Sequence, residues 1–206
     1  MGVDSGDSSG EVPPVASIPD GRPPAVIRKV LEIEGTPMAQ DREHSVERTL
    51  VLLKPDALAR GLAGRIFARF EDAALKIVGT KMIRMDEEFT RRHYFDLEER
   101  LGPEVYRLTD VFMRQGPVIA LVLEGFDAIA TVRKLVGSTY PNEAPAGTVR
   151  GDFSHYSSAA SIASGKAVAN LVHASGNRAE AEQEVALWFD KEELHDYRTL
   201  AEIYTY

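Results

Sequence analysis

From Glu47 onward, short apolar runs of strand character alternate with segments of helical apolar spacing, and this alternation narrows the possible folds more than any other feature. Residues 49–53, Thr-Leu-Val-Leu-Leu, form a short apolar strand, and residues 62–75 space Ile66, Phe67 and Phe70 as one helical face. Residues 76–85 alternate like a half-buried strand, and 87–100 and 103–114 carry helical patterns. An apolar strand follows at 117–123, then a helix at 127–136, a last strand at 171–174 and a helix at 178–188. The order β α β α β α β α predicts an α/β domain whose helices could cover one sheet face. Such a string usually gives a parallel doubly wound sheet, but a split β-α-β arrangement with antiparallel pairs satisfies it equally, so periodicity leaves both open. There is no internal repeat, and only the Ser/Ala-rich residues 157–164 approach low complexity.

The 206 residues, 44% of them hydrophobic, suffice for one good core with an extension. Residues 1–25 are rich in Gly, Pro, Ser and Asp, a composition that cannot offset its ordering entropy, and are expected to be a disordered tail. Residues 26–46 are expected to be a linker or extension, and 47–206 the folded domain. A formal charge of -8 argues against broad binding to nucleic acid or to an anionic membrane, so any anion site must be local. The lack of cysteine excludes disulfides, thiolate catalysis and thiolate-ligated metals, and fits a cytoplasmic protein. There is no apolar run of about 18 residues to span a bilayer. The first residues, with Asp4, Asp7 and Glu11, lack the pattern of a secretory signal.

Chemistry concentrates at Asn170-Leu171-Val172-His173-Ala174-Ser175, where an apolar strand delivers one histidine, with Glu184 on the helical segment that follows. A largely neutral imidazole can attack through one ring nitrogen while the other donates its hydrogen to an acid, as covalent catalysis requires. Lys54, in Lys54-Pro55-Asp56-Ala57, emerges at the end of the first strand, where a sheet can aim it. There is no Walker motif, so phosphate binding would have to use side chains. Arg133, Thr139 and Arg150 flank a long Gly/Pro-containing loop and would supply them, because guanidinium forks match phosphate oxygens. Each group has an ordinary explanation by itself: a structural histidine, a solvated lysine, a surface arginine paired with an acid. The joint set is explained less well that way.

Seven motifs in order carry a family resemblance: Lys54-Pro55-Asp56-Ala57 with Arg60-Gly61-Leu62, His93-Tyr94-Phe95-Asp96-Leu97, Gly116-Pro117-Val118, Gly137-Ser138-Thr139-Tyr140-Pro141, Arg150-Gly151-Asp152-Phe153, the segment around His173, and Leu187-Trp188-Phe189. From about Arg48 to Tyr206 the chain resembles a nucleoside diphosphate kinase. The resemblance implies a ferredoxin-like α/β (α+β) core with a four-stranded antiparallel sheet covered by helices. It also implies ping-pong transfer of the γ-phosphate from an NTP to an NDP. By position, His173 would become phosphorylated, Glu184 would orient it, and Ser175 would support that carboxylate. Lys54, Tyr94, Arg133, Thr139 and Arg150 would hold phosphates, and Asn170 with Lys54 would contact the sugar hydroxyls. Mg²⁺ would arrive with the nucleotide, since it binds phosphate oxygens and keeps waters, and no protein metal site is expected. A homo-oligomer, tetramer or hexamer, is implied, with the Pro141 loop and residues 203–206 as plausible contacts.

The chain also departs from the family pattern. The segment 102–111, where the family stacks the base on a phenylalanine, is a few residues longer and offers Tyr106 or Val105 instead. Residues 155–169 form a connection roughly ten residues longer than usual, in which Lys166 is expected at the solvated surface. Gly176 stands where the family commonly has an acidic residue, and His155 matches no nucleophile motif. Two rival functions follow: a catalytically weak nucleotide-binding regulator, and phosphotransfer to protein acceptors by the same histidine.

Overall fold

The computed structural model describes residues 46–202. The expected tail (1–25), all of the expected linker (26–46) except Val46, and the contact residues 203–206 lie outside them. In chain order the elements are β1 (Val46–Leu53), α1 (Pro55–Ala59), α2 (Ala63–Glu71), β2 (Lys76–Ile83), α3 (Glu87–His93), α4 (Leu97–Leu101), α5 (Pro103–Met113), β3 (Val118–Phe126), α6 (Ala128–Val136), α7 (Val149–Phe153), α8 (Ser158–Ser164), β4 (Val172–Ala174) and α9 (Arg178–Trp188). Short 3₁₀ turns at Pro141–Glu143 and Lys191–Glu193 complete the set.

The sheet order is β2-β3-β1-β4, and every neighbouring pair is antiparallel, which decides for the split arrangement against the doubly wound one. β1 lies inside the sheet, with Leu50 opposite Val122 on β3 and Leu52 opposite both Ala120 on β3 and His173 on β4. Its residues alternate between two cores. Val51 and Leu53 pack with Ile66, Phe70, Leu121 and Val132, whereas Leu50 and Leu52 pack with Val78, Met113, Val118 and Trp188. Helices therefore cover both sheet faces, not the one expected. This burial on both sides is why β1 reads as an unbroken apolar run rather than an alternating one. Fully burying one such leucine is worth about 1.5–3 kcal/mol.

Two helical stretches differ from their expected spans for local reasons, and a third helix was not expected. α2 stops at Glu71, and Ala74 takes a positive φ of 61° before Leu75 returns to the core. The stretch expected to be helical over 87–100 breaks after His93, where Tyr94 caps α3 through its N–H to the Thr90 carbonyl. Because of that break, the adjacent His93 and Tyr94 rings lie near each other, with centroids 4.5 Å apart, rather than splaying by a helical step. The Ser/Ala-rich stretch forms α8, capped by the Ser157 side chain, which accepts from Ala160 N–H. After α9 the chain returns to the sheet, where His195 N–H bonds the Val78 carbonyl and Tyr197 OH bonds the Ile77 carbonyl. Among the described residues no helix is long and apolar enough to cross a membrane.

Candidate active site

His173 is the middle residue of β4, and the adjacent α9 brings Glu184 beneath it. His173 Nε2 lies 2.8 Å from Glu184 Oε1, and Ser175 Oγ donates to Glu184 Oε2 at 2.6 Å. Ser175 is itself buried and accepts the Leu50 N–H at 3.2 Å, so the carboxylate is braced from the centre of the sheet. With Nε2 donating to Glu184, the lone pair of the neutral ring sits on Nδ1. The His173 side chain is 21% exposed and thus within reach of a ligand.

The two residues before β4 are fixed as tightly. Leu171 is fully buried with φ 69°, a left-handed conformation that costs a leucine on the order of 1–3 kcal/mol. Val172 N–H bonds the Asn170 carbonyl at 2.8 Å, closing a three-residue turn around it. Asn170 Oδ1 accepts from Lys54 Nζ at 2.8 Å, and Asn170 Nδ2 donates to the Thr139 carbonyl at 2.9 Å. Burial, joined by the nearby Arg150 charge, lowers the Lys54 pKa to about 8, while Asp56 acts the other way.

Arg150 is placed differently from a simple surface clamp. It is 5% exposed and donates to three carbonyls: Asn170 at 3.1 Å, Gly137 at 2.9 Å and Val172 at 2.7 Å. Burial and the neighbouring Arg133 lower its pKa to about 10. Three of its five N–H groups thus tie the loop after α6 to β4, leaving two for a ligand. Arg133 on α6 and Thr139 are exposed at the rim, and Arg133 has no ion-pair partner among the described residues.

Tyr94 lies over the same hollow, 6.0 Å from the His173 ring centroid. Its hydroxyl is buried without a hydrogen-bond partner among the described residues, and burial together with the Glu184 charge raises its pKa. Of the two residues weighed for the base, Tyr106 is buried with the Arg91 guanidinium over its ring at 4.6 Å, whereas Val105 is 40% exposed. Lys166 and His155 are exposed.

Sequence reasoning gave no role to His93. Its ring stands perpendicular to His173 at 4.6 Å and its Nδ1 accepts from Trp188 Nε1 at 3.2 Å. Burial holds its pKa well below the ordinary imidazole value, aided by His173 and Lys54, so it stays neutral. Its position directly before Tyr94 was the only available signal. His93, His173 and Glu184 each bring one potential ligand atom within 4.8 Å of the others, but these groups already bond one another and Trp188.

Fold and site together place the chain among small α/β phosphotransferases. The nucleoside diphosphate kinase family profile matches residues 47–194, and the chain belongs to that family. The nucleoside diphosphate kinase of Pyrococcus furiosus is 42% identical over 75% of this chain and 89% of its own length. Nucleoside diphosphate kinase B of Homo sapiens is 38% identical over 79% of this chain and 98% of its own. The Borrelia burgdorferi enzyme, solved as a transition-state mimic with vanadate and ADP, superposes with a TM-score of 0.76 at 38% identity, covering 78% of this chain and 96% of that one. The Halobacterium salinarum enzyme in complex with CDP gives 0.68 at 38% identity, over 79% and 99%.

Proposed function

We propose that this nucleoside diphosphate kinase exchanges the γ-phosphate between nucleotides in two half-reactions through His173. The observation that carries the reading is the 2.8 Å bond from His173 Nε2 to Glu184, which leaves Nδ1 as the nucleophile. The Nδ1 lone pair attacks the γ-phosphorus, the bond from that phosphorus to the β–γ bridging oxygen breaks, and the NDP leaves with the electron pair. The Nε2 proton stays in place, and the Glu184 charge offsets the positive charge that develops on the ring. A second NDP then takes the phosphoryl group by the reverse of these steps.

Lys54, Arg133, Thr139, Tyr94 and the free N–H groups of Arg150 would hold the phosphates. Asn170 and Lys54 would meet the sugar hydroxyls, and Val105, as the exposed member of its pair, would touch the base. Such apolar contact discriminates little between bases. Mg²⁺ prefers hard oxygen ligands, whereas the grouped donors here are two imidazoles and an already engaged carboxylate. The ion therefore fits as part of the substrate, on the phosphate oxygens. We also assign the enzyme to the cytoplasm, in keeping with its lack of cysteine, and to a homo-oligomer, tetramer or hexamer.

Incubation with γ-labelled ATP and Mg²⁺, followed by an acid-lability test and a GDP chase, tests the reading. Acid-labile label on His173 that moves to GTP is expected. Nucleotide binding without label would point to a regulator, and label that ignores GDP but moves to protein would point to a relay; either result overturns the proposal.

A further inference from the structure

The Lys54-Pro55-Asp56-Ala57 motif places a second polar side chain beside the nucleophile strand, and the exchange reaction assigns it nothing. Asp56 Oδ2 accepts the N–H of Leu171 at 3.0 Å, while the Leu171 carbonyl accepts the N–H of Lys54 at 2.8 Å. Both polar groups of Leu171 are thus held by one turn at the end of β1. Leu171 is the residue with φ 69° and lies two positions before His173. A leucine leaves that conformation readily unless its surroundings over-determine it. Asp56 Oδ1 is buried with no hydrogen-bond partner among the described residues, while Oδ2 holds the Leu171 amide. Burial raises its pKa, and Lys54 opposes that.

We propose that Asp56 is a positioning residue for phosphoryl transfer: by anchoring the Leu171 amide it maintains the positive-φ turn that sets His173 against Asn170 and the phosphate cradle. The carboxylate does not touch the reacting atoms. It acts through two peptide units, and its effect is the alignment of Nδ1 with the γ-phosphorus. An alignment error of about 1 Å can cost about a hundredfold in rate. The alternative for Asp56 is a purely local one, an acid in the first turn of α1 complementing the helix end, which needs no acceptor at Leu171.

This inference rests on His173 as the nucleophile, and its experiment has one arm independent of that reading. Asp56→Ala and Asp56→Asn are compared with the wild type for the single-turnover rate of His173 phosphorylation and for hydrogen exchange of the peptide spanning 170–174. Asp56→Ala is expected to slow phosphorylation by about ten- to a hundredfold, to lower kcat more than it raises KM, and to speed exchange at Leu171. Asp56→Asn keeps an acceptor oxygen at the amide and is expected to restore both within about threefold. If Asp56→Ala fails to fold, Asp56→Val, nearer to aspartate in size and without an acceptor, takes its place. Wild-type phosphorylation and exchange in the acceptor-free variant would overturn the proposal, as would an Asn variant as slow as the Ala one. If wild-type protein takes no label on His173, the exchange arm still tests the anchor, and the failure belongs to the reaction assigned above.

Discussion

The floor of the site and its rim are built by opposite strategies. On the floor, residues 170–175, backbone and side chains are engaged by partners from β1 and the turn after it, the loop after α6, α7 and α9. At the rim, Arg133 and Thr139 stand exposed, as does Val105 on α5, the proposed base contact. A phosphoryl group of fixed geometry can be met by a preformed surface, at little reorganisation cost during the reaction. Nucleotides of varied base need a surface that adapts. The difference teaches that chemistry and substrate range are separable here: changes to the floor should act on rate, and changes to the rim on binding.

The sharpest test of that division is His173→Ala, which should lower exchange by roughly a thousandfold or more while leaving nucleotide affinity largely intact; single-turnover labelling and binding titration check it. Unchanged turnover would end the proposed mechanism. Glu184→Gln removes the charge that orients the imidazole and should slow phosphorylation about ten- to a hundredfold, again in kcat. Wild-type phosphorylation kinetics would remove Glu184 from the machinery. At the rim, Arg133→Ala should raise KM roughly tenfold with kcat little changed, the loss of one charge-assisted contact. A fall in kcat alone would break the comparison.

A smaller effect comes from pH. In the role proposed for it Lys54 would bind phosphate only as the cation, and burial lowers its pKa to about 8. The charged fraction is nearly complete below that pH and is lost as pH rises through it, so nucleotide affinity should decline above about 8 and be flat on the acid side in this group. Isothermal titration across pH 6.5–9.5 would show it, about tenfold per unit at most. A Lys54→Met protein should bind more weakly and lack that slope. Val105→Ala should be the mildest, changing the affinities for ADP and GDP by about twofold or less and by the same factor.

Which parts of this were legible in the sequence follows from the range of the interactions involved. The strands and most helices were readable because each writes its own periodicity, and β1 announced itself through Leu50 to Leu53. Strand direction was not readable, because pairing depends on residues far apart, such as Leu52 and His173, and only the family resemblance chose between the two topologies. The short helices α1, α7 and α8 lack the length for a periodic stripe. The groups of the site were recognisable as types, but their divisions of labour were not. Arg150 looks like Arg133 in the sequence, yet one holds three carbonyls and the other faces solvent. The contacts of His93 and Asp56 cross 95 and 115 positions, so no local pattern could reveal them.

The Trp188 to His93 hydrogen bond has an optical consequence. Trp188 is the only tryptophan in the chain, so emission excited at wavelengths that tyrosine does not absorb comes from one indole. That indole bonds a neutral imidazole whose ring stands 4.6 Å from that of His173. Any charge placed on His173 changes the electric field at this single indole, through one intervening ring and with no second tryptophan to dilute the signal. The molecule therefore carries its own unlabelled spectroscopic gauge, one ring away from the proposed nucleophile.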